Sequence, residues 1–287
     1  MKIAIINDIH VGKALIYSGM VRAASHLIEE VLEEVLHKIL KLHSPNLIVN
    51  LGDLIRSENK DQDLKSYSKQ LSRLKHLSSP LIHVLGNHEL KKMNLTDVEN
   101  AWNAHGFNQK AYGSREVEDF RIIWLGLELE NASIPHKAIL PQQQINWLNE
   151  ELKRTNKRTI IFSHYPLDDH NTTGNFFYEA MDNKSTQALF LYNQKQVRKI
   201  IQSVDNVVAV FQAHLHYFHI NINKDLPYIT CPAMGDNICT PQLSNNIPEV
   251  YTIVDLSGKK LIVKAYSREY CFAGYEQYYN NAVAIEN

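Results

Sequence analysis

The sequence has little with which to staple itself, cross a membrane or attract a polyanion. Its cysteines are Cys231, Cys239 and Cys271, too few and too close to the C-terminus for a disulfide framework, which points to a reducing compartment. No apolar run approaches the roughly 18–20 residues that a membrane-spanning helix needs, and no membrane partner is expected. Residues 2–7 read as a strand running straight into Asp8, leaving no room for a leader peptide, so the expected location is cytoplasmic. Charge of one sign is lacking too. Lys and Arg number 30 against 31 Asp and Glu, and no net field recruits nucleic acid. Repeats, low-complexity stretches and linker-like breaks are missing, so a single domain over residues 1–287 is expected.

Against these absences stand 14 histidines and an alternation of short apolar runs with helical periodicity, the pattern of an α/β protein. Residues 3–6, 47–51, 81–85, 122–127, 160–163 and 207–212 read as buried strands. Val21, Ala24, Ile28, Val31, Leu32, Val35, Ile39 and Leu42 recur at steps of three and four, which predicts a helix that Pro45 stops. A second helix ends near residues 79–80, and a short one carries Val98 and Trp102. A third begins at Pro141 and holds Ile145, Leu148 and Leu152; another covers about 186–203. Residues 165–184 show no periodicity, and a loop that long inside a compact domain is usually functional or disordered. Residues 217–222, 228–231, 250–255 and 261–266 read as an antiparallel series.

The polar residues fall at the strand ends, where open α/β sheets bind ligands. Asp8 and His10 follow the first strand, Asp53 the second, Asn87 and His88 the third. His164 closes the strand 160–163, and His214 and His216 follow 207–212. Five strand ends thus bring metal-competent groups to one edge. The spacing of two in Asp8/His10 and His214/His216 is expected to put each pair on one face of an extended segment. Carboxylate and imidazole without thiolate suit Mn, Fe, Zn and their neighbours. Asp53, isolated behind Gly52, is the candidate to bridge two cations, which in such centres lie about 3.5–4 Å apart.

In their order, Asp8-Ile9-His10, Gly52-Asp53, Gly86-Asn87-His88-Glu89, His164 and His214-Leu215-His216 resemble the calcineurin-like metallophosphoesterase superfamily. The resemblance implies a four-layer α/β/β/α sandwich with two mixed β-sheets. It also implies two divalent or trivalent ions (Mn, Fe, Zn or Co), one held by Asp8, His10, Asp53 and His216, the other by Asp53, Asn87, His164 and His214. His88 is then the catalytic, non-ligating group that faces the scissile phosphate, Asn87 and His88 contact substrate, and Glu89 orients His88 or a neighbouring loop. The implied activity is hydrolysis of phosphate esters or anhydrides by in-line attack of a metal-bridging hydroxide. Single-domain length and balanced charge favour a small phosphorylated metabolite, a phosphodiester or pyrophosphate of nucleotide type.

Two positions depart from common patterns. Ala213 stands where the family usually has glycine, and a small local adjustment is expected there. Arg56 stands three residues past Asp53, where enzymes resembling purple acid phosphatases carry tyrosine, so no tyrosine-ligated ferric ion is expected. Three rival readings share the fold. A DNA-processing nuclease should show a basic track and a capping domain; a protein serine/threonine phosphatase should carry arginine clamps beyond Arg56; a non-catalytic scaffold should have lost ligand histidines.

Elsewhere, His26, His37, His43, His76, His83 and His219 read as structural. Asp168, Asp169 and His170, in the loop just after His164, could reach the substrate, with an ordinary solvated loop the favoured reading. Tyr266, Tyr270, Phe272, Tyr275, Tyr278 and Tyr279 are expected to pack against a sheet rather than stack on a base.

Overall fold

The computed structural model describes residues 1–17, 20–23, 25–130, 137–172, 178, 188–236 and 249–278. Ala24, Cys239, Tyr279, and most of the second half of the predicted 165–184 loop, lie outside the described residues. The first half of the chain forms β1 (Lys2–Ile6), β2 (Leu15–Tyr17), β3 (Met20–Ala23), α1 (Ser25–His43), β4 (Leu47–Asn50), α2 (Lys60–Leu74), β5 (Leu81–His83), α3 (Asn87–Leu90) and α4 (Leu95–Ala104). It continues through β6 (Gly113–Val117), β7 (Phe120–Trp124), β8 (Glu128–Glu130), β9 (Lys137–Ile139), α5 (Gln142–Lys153) and β10 (Arg158–Ser163). The remainder holds α6 (Gln194–Ile201), β11 (Val207–Gln212), β12 (His219–Asn223), β13 (Leu226–Thr230), β14 (Val250–Asp255), β15 (Lys260–Ser267) and β16 (Tyr270–Tyr278).

Two six-stranded sheets face each other. One runs β16-β15-β14-β1-β4-β5, with β1, β4 and β5 parallel on one side and the antiparallel strands on the other; in β12-β13-β11-β10-β7-β6 the parallel strands are central and β12 and β6 are antiparallel edges. The parallel strands read as unbroken apolar runs because both of their faces are covered. Ile3, Ile5, Leu47 and Val49 point into the gap between the sheets against Ile160, Phe162 and Phe211. Ala4, Ile6 and Ile48 face the other way, onto Ile28, Leu32, Val35 and Ile39 of α1 and Leu71 of α2. On the far side Ile123, Ile161 and Val210 meet Ile145, Leu148 and Leu152 of α5 and Val197 and Ile201 of α6. Helices, sheet, sheet, helices: the four-layer α/β/β/α sandwich with two mixed sheets.

Several element boundaries differ from expectation. Helix α1 starts at Ser25, and Val21 belongs to the β2–β3 hairpin, because the apolar spacing of a short strand can mimic one turn of an amphipathic helix. Helix α6 covers only Gln194–Ile201. The predicted antiparallel series divides: β13 lies parallel to β11 in one sheet, while β14 crosses to pair with β1 in the other. Tyr270, Phe272, Tyr275 and Tyr278 of the aromatic tail lie in the edge strand β16, where Tyr270 and Tyr278 are 80% and 63% exposed. Of that group, Tyr266 and Tyr275 pack against core clusters. Among the described residues, no helix is long and apolar enough to cross a membrane.

Candidate metal centre

The site forms where the loops after β1, β4, β5, β10 and β11 meet. Backbone bonds tie them together: Asp8 N–H donates to Gly52 O (3.0 Å), His10 N–H to Asp53 O (2.9 Å) and Ala213 N–H to His164 O (2.9 Å). Extended geometry is not what pairs Asp8 with His10 or His214 with His216. Asp8 (φ 46°), His10 (51°), Asp53 (56°), His214 (68°) and His216 (65°) all adopt left-handed backbone, a conformation costing roughly 1–2 kcal/mol per non-glycine residue and characteristic of functional sites. Each pair converges through tight turns at the strand end, before any pleat could align it. Ala213 stays out of the left-handed region, so a methyl group there needs no adjustment.

The glycines of the motifs permit close approach. A Cβ on Gly52 (φ 99°) would lie 2.7 Å from His164 Nδ1 and 2.9 Å from Gly86 Cα. Buried Glu89 locks the same corner by accepting from the backbone N–H groups of Gly86 (3.0 Å), Asp53 (3.1 Å) and Leu54 (2.7 Å). Of the two roles expected for it, holding the neighbouring loop is the one the geometry displays. Burial, and then the Asp53 charge, push its carboxyl up to about 7.

All seven sequence-predicted ligands are brought to this place. Asp8, His10 and His216 form one group, and Asp53, His164 and His214 another, with ligand atoms in each lying within 4.8 Å of one another. His10 Nε2 lies 3.7 Å from Asp53 Oδ2, linking the two groups through that carboxylate. Asn87 joins the second through Oδ1, 3.2 Å from His164 Nε2.

Hydrogen-bond chemistry tests whether these groups suit a cation. His164 Nδ1 lies 2.9 Å from Leu51 O, an acceptor, so the ring proton sits on Nδ1. Its Nε2 then directs a lone pair at Asn87 Oδ1 and at Asp53 Oδ2, 3.4 Å away. His216 repeats the arrangement: Nδ1 donates to Asp236 Oδ2 (2.5 Å), and Nε2 faces Asp8 Oδ1 (3.2 Å) and His10 Nε2 (3.2 Å). Asp8 Oδ1 and His10 Nδ1 are buried without a hydrogen-bond partner, and His10 turns Nε2 toward Asp8, Asp53 and His216. Lone pairs converging in a dry site repel unless a proton or a cation lies between them. Protons can serve: burial opposes charge on both rings, yet Asp53 raises His164 to about 9, and Asp8 and Asp236 raise His216 to about 9. Burial likewise opposes ionisation of Asp8 and Asp53, but the facing histidines hold both carboxyls below their usual range. His10 and His214 are pushed down by burial to about 4 and about 3 and stay neutral. The residues present fit two cations.

His88 lies at the edge of this group, its ring centroid 4.5 Å from that of His10. It also falls within ligand distance of His10 and Asp53. Its Nε2 lies 2.6 Å from Lys91 Nζ and its Nδ1 3.4 Å from Ser57 N–H; a neutral imidazole can accept at one of the two. Its backbone N–H donates to Asp53 Oδ1 (2.7 Å), which fixes the carboxylate from the outer side.

Sequence reasoning missed several supports. Asp236, behind His216, carries no motif. Asn7 donates to Asp8 Oδ2 (2.6 Å), and Tyr165 stacks on His214 (centroids 3.9 Å apart). Asp168 and His170 are buried rather than solvated. Asp168 accepts from His170 (2.7 Å), Gln212 (2.6 Å) and Asn221 (3.1 Å), while His219 stacks on His170. Only Asp169, paired with Arg198, is exposed as expected. Among the other histidines, His26, His37 and His76 lie exposed and His43 and His83 bond Tyr251 and Asn50.

The comparisons agree with this geometry. The chain resembles the solved dimetal phosphatase from Danio rerio at 14% identity, covering 97% of this chain and 99% of that one with a TM-score of 0.74. It also resembles GAP50, the anchor in the inner membrane complex of Plasmodium, at 13% identity, 98% and 89% coverage and a TM-score of 0.59. Identities this low speak for the fold alone. No curated protein matches the sequence. Residues 1–218 match the model of the calcineurin-like phosphoesterase family, a span that contains every motif of the site. The chain therefore belongs to the calcineurin-like phosphoesterases and is a metal-dependent phosphoesterase.

Proposed function

We propose that the protein hydrolyses a small nucleotide-type phosphodiester or pyrophosphate at a two-ion centre, with the whole chain acting as one domain in the cytoplasm. In this reading Asp8, His10, Asp53 and His216 hold one ion, and Asp53, Asn87, His164 and His214 hold the other. The observation that carries it is the convergence of ring-nitrogen and carboxylate lone pairs from His164, His216, Asp8 and Asp53 on common points. Two ions bound there, drawn from Mn, Fe, Zn or Co, supply charge neutralisation and an activated water for in-line displacement.

The protein's own groups do the rest. Asp53 reaches both ligand groups and, held by the His88 and Glu89 contacts, keeps them in register. Asn87 turns Oδ1 inward to His164, which leaves its amide N–H donors for a phosphoryl oxygen. His88, beside the ligands but not among them, faces the phosphoryl group and assists departure of the leaving oxygen. Solvent exclusion strengthens each of these contacts, since Asp8, Asp53, Asn87 and His164 are all buried. Shared packing of both sheets around one central cluster supports the one-domain reading.

The test is Asp53→Asn. Elemental analysis should find about two ions per wild-type chain, and loss from both positions in the variant. Turnover of bis-p-nitrophenyl phosphate with added Mn should disappear with it. An Asp53→Asn protein that keeps its metal and its activity would exclude the bridging carboxylate.

A further inference from the structure

Lys91 is the residue that this mechanism does not use. It caps α3, three residues after His88, so both side chains rise from the same face of one short turn. Its Nζ lies 2.6 Å from His88 Nε2. The ammonium is half-buried, and among the described residues it makes no ion pair. Other lysines of this chain behave differently: Lys38, Lys60, Lys69 and Lys157 each meet a carboxylate. The neighbouring cation Arg56 is engaged with Ser25 Oγ (3.2 Å). Burial disfavours charge on Lys91. The Asp53 and Glu89 charges offset that burial in part, but a shielded cation with no carboxylate in direct contact is costly to maintain, and its contact is the imidazole already assigned to the scissile phosphate.

The geometry points to Lys91 as a specificity-determining residue, whose ammonium leaves His88 to take an anionic oxygen on the leaving-group side of the substrate. This rests on the two-ion reading above. Asp53 accepts from the His88 backbone N–H (2.7 Å), whereas Lys91 meets the ring at Nε2 from the C-cap of α3. A phosphate borne by the leaving group would meet the ammonium there, in a charge-assisted hydrogen bond. A leaving group without charge of its own offers the ammonium no such contact. The site therefore discriminates by charge beyond the scissile bond, and favours anhydrides over esters of the same phosphoryl group.

Two substrates that share the attacked phosphorus isolate this contact: the p-nitrophenyl ester of thymidine 5′-phosphate and P1,P2-dithymidine 5′-pyrophosphate. In each, water adds to phosphorus and the P–O bond to the leaving group breaks, giving thymidine 5′-phosphate with p-nitrophenol or a second thymidine 5′-phosphate. The Mn-loaded wild type should favour the pyrophosphate. Lys91→Ala should lower kcat/KM for the pyrophosphate by about 10- to 100-fold and for the ester by less than about threefold, with metal content and Tm unchanged. Lys91→Arg should restore most of the loss. Equal losses on both substrates, no loss on either, or loss of metal in Lys91→Ala would each overturn the assignment. So would a wild type that cleaves the ester and ignores the pyrophosphate, although phosphoesterase activity would then stand. A wild type that cleaves neither strikes the nucleotide-type substrate reading itself, and the Lys91 assignment falls with it.

Discussion

Asp236 offers the sharpest test of the centre, because it is not among the proposed ligands and its carboxylate accepts from His216 Nδ1. Replacing it with asparagine keeps an oxygen that can accept from His216 Nδ1, and removes only the charge. Burial alone would push His216 below its ordinary 6.5, yet Asp8 and Asp236 together hold it at about 9. Removing the Asp236 charge takes away part of that support. Carboxylates behind ligating histidines typically carry about 10- to 100-fold of metal affinity. Asp236→Asn should therefore weaken Mn binding by about 10- to 100-fold. The assay strips the protein with chelator, then titrates Mn against phosphodiesterase turnover and compares the midpoints. At saturating Mn, turnover should return to within a few-fold of wild type, because the ligands themselves are intact. An unchanged midpoint in a folded variant would refute the idea that His216 is held as a ligand by Asp236. So would activity that no concentration of Mn restores.

His88→Ala should keep both ions, as measured by elemental analysis, while turnover falls by about 10²–10⁴; loss of an ion would make His88 a ligand. The metal-free protein should lose stability as pH rises from 6.5 to 9. His164 and His216 have folded values of about 9 against an ordinary 6.5, so their contribution is complete below pH 6.5 and is lost as pH climbs through 9. His10 and His214, pushed down to about 4 and about 3, act in the opposite sense only below that window. Thermal melts of stripped protein should show this fall, and saturating Mn should flatten it as ions replace protons. A melting temperature that is level or rises over that range in stripped protein would contradict the converging lone pairs.

Much of the site was legible because ligand chemistry is a property of residue type and order. Asp8, His10, Asp53, Asn87, His164, His214 and His216 each follow an apolar run, and β topology sends strand ends to one edge. The helix and strand patterns read correctly wherever an element was long and buried on a defined face, as in most of α1 and in β1, β4, β10 and β11. Short or edge elements escaped. The β2–β3 hairpin passed for the start of a helix, and β6 and β16 carried too little alternation to be seen.

What the sequence by itself determined, then, was a layered α/β chain with a row of metal-competent carboxylates and imidazoles at its strand ends. Tertiary structure alone decided the rest. Left-handed turns, not extended pleats, aim the paired ligands. Asp236, Asn7 and Tyr165 support them from places no motif marks. Glu89 braces the Asp53 loop, and Lys91 closes on His88. The reason is physical: periodicity and residue type record which face of an element is buried, whereas hydrogen-bond partners and cations across a site depend on contacts between segments far apart in the chain.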